Sequence, residues 1–281
     1  MATGLASGLL LIVQAALLSH IVHRAFIDGV TRAALGRSFA MLCGVIVLRA
    51  GLAWAREVTG FQAGARIRGE VRRALMQQLA RLGPVQNGGL GGGELSATMV
   101  EQVEALQAFY AYYLPQLALA LAIPAAIVAF VWPISWAAGG LLLLTAPLIP
   151  LFMVLVGMGA ESISQRHFQD LARMSAHFLD TLQGLPTLKL LDRSRGEESR
   201  IAATSDQYRQ RTMSVLRVAF LSTAVLELFS SLAIALVAVY LGTTYLGYSH
   251  FGMYGRPLSL YQGLFILLLA PDFYLPLREL G

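Results

Sequence analysis

The stretch Leu179–Arg200, LDTLQGLPTLKLLDRSRGEESR, carries the chain's only lysine, Lys189, a Gly184-Leu185-Pro186 break and a dense run of charges, yet it lies between two of the most apolar regions of the sequence. A charged side chain held at bilayer depth costs about 2.5–3.5 kcal/mol. The segment therefore reads as a water-facing excursion from a membrane protein. Composition agrees: 56% of the 281 residues are hydrophobic, only 13% are charged, and the mean hydropathy is +0.62, too high for a soluble domain. The balance is basic, with net charge +5. The arginines cluster beside apolar runs and not on an aromatic-interleaved face, a pattern of membrane topology and not of nucleic-acid binding. Cys43 is the single cysteine and sits inside an apolar run, which leaves disulfide, CxxC and zinc-cluster chemistry without support. The first apolar run has neither a basic n-region nor an A-x-A site, so it reads as a retained span.

A hydrocarbon core about 30 Å thick takes roughly 20 apolar helical residues to cross. Six runs qualify: Leu5 to Ile21, Phe39 to Ala55, Leu114 to Trp132, Trp136 to Gly157, Val218 to Gly247 and Leu258 to Leu275. Short loops join spans 3 to 4 and 5 to 6, whereas almost sixty residues separate spans 2 and 3, and again spans 4 and 5. These two long connections hold most of the basic residues, from Arg56, Arg66, Arg68, Arg72, Arg73 and Arg81 in the first to Arg166, Lys189 and Arg211 in the second. The positive-inside rule places both in the cytoplasm, together with both termini. Arg24, Arg32 and Arg37, between spans 1 and 2, run against that rule.

Both connections are predicted to be helical hairpins. Ile67, Val71, Leu75, Leu79 and Leu82 form one helical stripe, GPVQNGGLGGGE (83–94) breaks it, and Leu95, Met99, Val103, Leu106 and Tyr110 stripe a return helix. The second connection repeats the plan around the break at QGLP (183–186). At 1.5 Å per residue, the helix from Trp54 to Arg81 reaches roughly 40 Å beyond the bilayer. The fold class is thus an all-α membrane protein with six transmembrane helices and two long cytoplasmic helical hairpins.

This plan resembles the transmembrane domain of the exporter-type ABC transporters over residues 1–281. GGGELSATMVEQVEAL (91–106), HFLDTLQGLPTLKLLDR (177–193) and APDFYLPLRELG (270–281) are similar to stretches of that family. YYLPQLALALAIPAAI (112–127), TAPLIPLFMVLVGMGA (145–160) and RQRTMSVLRVAFLSTAVLELFSSLAIALVAVYLG (209–242) resemble the CydD family, one half of the heterodimeric CydDC exporters of bacteria. The resemblance implies an inner-membrane permease with a CydC-like partner subunit, export of small thiols such as cysteine and glutathione, and a link to cytochrome bd assembly. A role in haem transport, or an exporter of lipid, peptide or drug, stays open as an alternative. The family's ATP and Mg chemistry needs a GxxxxGK[ST] loop, and none occurs here. The chain is therefore expected to be the membrane half of a longer protein, with the nucleotide-binding domain and any ATP hydrolysis outside it, and with no catalytic site of its own. The resemblance further implies that the hairpin tips are coupling elements seated on that domain: Gly83, Pro84, Gly92, Gly93 and Glu94 in the first, and Phe178, Leu179, Leu182, Gly184 and Pro186 in the second.

Arg49 in span 2 and Glu227 in span 5 are ionisable groups at membrane depth, which either pair with each other or line a watery substrate cavity. His20 and His23 share a helix face at the end of span 1 and are the candidate haem ligands, or else interfacial residues. Tyr110, Tyr112 and Tyr113 precede Pro115 as headgroup-level anchors or stacking platforms. Pro115, Pro124, Pro147, Pro150, Pro271 and Pro276 are candidate kinks, and Gly139-Gly140 a point of close helix approach.

Overall fold

A computed structural model describes residues 2–30, 32–87, 103–155, 190, 194–248, 251–255 and 257–280. In order these form α1 (Ala2–Phe26), α2 (Arg32–Asn87), α3 (Val103–Ala108), a π-helical turn at Phe109–Tyr113, α4 (Leu114–Val131), α5 (Trp136–Thr145), α6 (Ser194–Tyr245) and α7 (Leu260–Arg278). Helix is the only open-ended element that satisfies its own backbone in lipid. Among the described residues six helices are long and apolar enough to cross a membrane: Thr3–Phe26, Leu35–Gln78, Phe109–Val131, Trp136–Leu155, Ser199–Tyr245 and Leu260–Arg278. They coincide with the six expected spans and run beyond several of the expected ends.

The chain divides into two compact units, 1–146 with 233–280, and 147–232. In the first, α1 packs on α2, α4 and α7, and α7 also packs on α4 and α5. Ile127, Val131, Leu142, Val237, Ile266, Leu269, Phe273 and Tyr274 are among its most buried side chains, while Val47, Leu121 and Leu144 point outward, as lipid-facing residues do. Gly8 lets α1 approach α4 closely, since a Cβ there would stand 2.8 Å from Ile123 Cγ1. Gly139 lies against Trp132, whereas Gly140 faces open space.

Two pairs of hydroxyls tie the helix ends and interior together. Ser135 caps α5, accepting from the Ala138 N–H at 3.2 Å, and its Oγ donates to the Gly252 carbonyl at 3.0 Å. The Tyr240 hydroxyl lies 2.9 Å from Ser135 Oγ and donates to the Phe251 carbonyl, also at 2.9 Å. In the interior, Tyr274 Oη and Thr145 Oγ1 are 2.6 Å apart and join α7 to α5. Ser135→Ala removes a cap and strands a buried carbonyl, so it is expected to destabilise the protein by about 2 kcal/mol. Denaturant unfolding in detergent reads this directly, and an unchanged midpoint would contradict it.

The first long connection is a helical hairpin whose outgoing limb is the far end of α2. Ile67, Val71 and Leu75 are half-buried while Arg66, Glu70, Arg72 and Arg73 are exposed, as the stripe predicts. Arg68 and Arg72 both reach Glu104 on the return limb, Arg72 Nη2 at 3.6 Å. Two expectations are corrected here. The helix runs on through Gly83 and Pro84 to Asn87, so the break falls later than the start of GPVQNGGLGGGE; a proline near a helix end forfeits a single hydrogen bond, which does not stop the helix. On the return limb Val103 is buried as expected, but Tyr110 is exposed and Ala111 is buried in its place. The π-helical turn inserts an extra residue and rotates the stripe by one position. It ends two residues before Pro115, whose missing N–H already interrupts the α-helical ladder.

In the second unit, Phe152 and Phe229 stack with ring centroids 4.1 Å apart. The start of α6 is polar and exposed, with Asp206 accepting from Arg209 and Gln210 at 2.9 and 2.8 Å. The second expected tip, with Phe178, Leu179, Leu182, Gly184 and Pro186, lies outside the described residues, as do Gly92, Gly93 and Glu94 of the first.

Candidate functional site

α1, α2, the π-helical turn, α4 and α7 line an open-sided cavity of about 340 Å³ in the first unit, at the end of the spans from which the α2 hairpin projects. Small residues of α1, Gly4, Ser7 and Gly8, make room on one wall. The other walls bring charge into an apolar setting: Arg49, Arg56 and Glu57 from α2, Asp272 from α7, and Glu279 just beyond its end. The volume is at the lower end of small-molecule pockets, which run to about 300–1,000 Å³.

Two polar arrangements line this cavity, and they differ in completeness. Gln116 of α4, 8% exposed, bridges the first. Arg56 Nη2 donates to its Oε1 at 2.8 Å, while its Nε2 donates to Glu279 Oε2 at 2.7 Å and to the Pro276 carbonyl at 3.4 Å. A neutral amide thus relays between a cation on α2 and an anion following α7, and each of the three side chains has a hydrogen-bond partner. A neighbouring depression shares Arg56, Tyr112, Gln116 and Glu279 and adds Tyr113.

The second arrangement is open. Arg49 Nη1 donates to Gln14 Oε1 on α1, which fixes the guanidinium, but the buried Nε of Arg49 has no hydrogen-bond partner. Asp272 lines the same cavity as Arg49. Even so, among the described residues Asp272 has neither a hydrogen bond nor an ion pair within 4 Å. The two groups lie at matching depth. Seven residues separate Arg49 from Arg56 and six separate Asp272 from Arg278, about 10 and 9 Å along their helices.

Of the residues singled out in the sequence, Arg49 lines the cavity and Glu227 belongs to the 147–232 unit, where its side chain is exposed. The acids that share Arg49's cavity are Glu57, Asp272 and Glu279, and the sequence presented the last two only as part of APDFYLPLRELG. Gln14, Gln116 and Glu279 also escaped notice. Their one signal was polarity inside or beside an apolar span, where a polar group needs a partner. Gly60 and Gly64, spaced i, i+4, were missed too: a Cβ at Gly60 would lie 3.1 Å from the Ala111 carbonyl, and one at Gly64 3.3 Å from Ala111 Cβ, so α2 packs closely on the π-helical turn there. Of the tyrosines before Pro115, Tyr112 lines the cavity, and Tyr113 stacks on Phe109 with centroids 5.6 Å apart. His20 meets Tyr261 edge-on at 6.4 Å, and His23 Nδ1 is buried without a partner. Among the described residues no group of three or more His, Cys, Asp or Glu is placed to hold a metal, and the haem reading gathers no support from the geometry.

Comparison with known proteins matches residues 1–266 to the ABC transporter transmembrane region. The chain is 46% identical, over 99% of its length, to the glutathione/L-cysteine transport system ATP-binding/permease protein CydD of Escherichia coli (strain K12), covering 47% of that protein. It is 45% identical over its whole length to the transport ATP-binding protein AarD of Providencia stuartii, covering 48% of it. Against the glutathione/L-cysteine transport system ATP-binding/permease protein CydC of Bacillus subtilis (strain 168), identity is 33% over 84% of the chain and 40% of the relative. The chain spans about half the length of the curated relatives it matches.

Proposed function

The chain belongs to the ABC transporter transmembrane family as a CydD-type region, and from that premise we propose that it is the permease part of an ATP-driven exporter subunit carrying small thiols of the cysteine and glutathione class. The observation that carries this reading is the near-half identity, sustained along the whole chain, to relatives named for glutathione and L-cysteine transport. The six spans, the α2 hairpin and a small polar cavity at the hairpin end are the parts such a permease needs.

In this reading the protein works in the bacterial inner membrane with both termini in the cytoplasm, paired with a CydC-like subunit. ATP and Mg are bound by nucleotide-binding domains outside this chain. The tips around Gly83-Pro84 and Gly92-Gly93-Glu94, and around Phe178, Leu179, Leu182, Gly184 and Pro186, seat on those domains and pass their closure to the spans. The cargo shifts the inward–outward equilibrium only by its difference in affinity for the two states. ATP-dependent accumulation of labelled cysteine or glutathione in inside-out vesicles holding the full-length heterodimer is the test. Several-fold uptake over a non-hydrolysable nucleotide is expected. Hydrolysis of ATP with movement of neither thiol would sink the reading.

A further inference from the structure

We propose that Arg49 and Asp272 form a subsite for the α-amino-acid head of the cargo, Arg49 taking its carboxylate and Asp272 its ammonium. This deepens the transport reading above and rests on it for the event that brings cargo to the cavity. Cysteine carries this zwitterionic head, and so does the γ-glutamyl end of glutathione, so one subsite serves both.

The open state of the pair is the reason. A structural ion pair at membrane depth closes into direct hydrogen bonds, because each unpaired charge is expensive there. Here the guanidinium is held by Gln14 and keeps a buried Nε unpaired, while the Asp272 carboxylate lines the same cavity and makes no ion pair with it within 4 Å. A free anion at this place meets the Asp272 charge and a free cation meets that of Arg49. A small molecule with both charges on one carbon satisfies the two groups together. Asp272 offers an ammonium a further acceptor, since Pro276, four residues on, has no N–H for the Asp272 backbone carbonyl. The adjacent Arg56, Gln116 and Glu279 are hydrogen-bonded to one another, and Glu57, the remaining acid of the cavity wall, is exposed.

The test uses the full-length heterodimer in nanodiscs and reads the concentration that half-maximally stimulates ATP hydrolysis. The ligands are L-cysteine, its methyl ester (no carboxylate), N-acetylcysteine (no ammonium) and L-serine (no thiol). The wild type should favour cysteine over either blocked form by about tenfold or more, the loss expected for one charged hydrogen-bond partner. Arg49→Gln should erase the discrimination against the ester alone, and Asp272→Asn that against N-acetylcysteine alone. Arg49→Lys should restore much of the preference, which separates recognition from a folding defect. Equal responses of the wild type to cysteine and both blocked forms would overturn the proposal, whatever the variants do. So would an Arg49→Gln protein that weakens cysteine and ester alike, and thiol export would then stand without this subsite. If serine acts like cysteine and no thiol is transported, the thiol reading fails and the subsite remains. If none of the four ligands acts, both fall.

Discussion

Gly252→Ala is expected to destabilise the protein by about 3–4 kcal/mol, through backbone strain and overpacking acting together. Gly252 has φ +89°, in the left-handed region, and it is buried. A Cβ there would overlap the Ala137 side chain and stand 2.8 Å from Tyr240 Oη and 3.2 Å from Ala137 Cα. Ala137 lies in the first turn of a helix and cannot step aside without moving Ser135, whose hydroxyl donates to the Gly252 carbonyl. Gly255 supplies the control: its φ is +75°, but nothing lies within 4 Å of an added Cβ. Gly255→Ala should therefore show the conformational penalty alone, about 1 kcal/mol. The comparison is made by unfolding both variants in detergent. Equal losses would mean that the contact with Ala137 contributes nothing.

Gln116→Glu is the second large effect, about 2–3 kcal/mol at neutral pH. Where the amide Nε2 now donates to Glu279 Oε2 at 2.7 Å, the variant presents a carboxylate oxygen. Two carboxylates that close cannot both stay ionised without strong repulsion. Adding Glu279→Gln to the same chain reverses the donor and acceptor and still leaves Arg56 an oxygen to donate to, so the double variant should regain most of the loss. A double-mutant cycle gives the coupling between these positions. Additive losses would show that the 116–279 contact does not hold α4 to the end of α7.

Hydropathy and charge were enough to place six spans and the first hairpin, because lipid imposes its demand on every residue of a span at once. Ile67, Val71 and Leu75 kept their stripe for the same reason: a helix has one period, readable from local spacing. Tyr110 broke from it because a single inserted residue is a local departure that an ideal period cannot register. The site was legible only in part. Arg49 stood out as a charge in an apolar run, but Gln14, which it meets, and Asp272, which lines its cavity, are 35 and 223 positions away in the chain, and the sequence says which groups need partners without saying which meet. Glu227 was singled out with Arg49 on depth alone, and depth is shared by many residues of six spans.

The π-helical turn at Phe109–Tyr113 also bears on how related chains are to be aligned. It holds one residue more than a regular helix would need between the Glu104 ion pairs and the Gln116 relay. A relative with one residue fewer here can close the turn into ordinary α-helix and keep both contacts in place. A single-position gap inside 109–113 is thus a silent change of phase, whereas the same gap a turn later would carry Gln116 about 100° around its helix, away from Arg56 and Glu279.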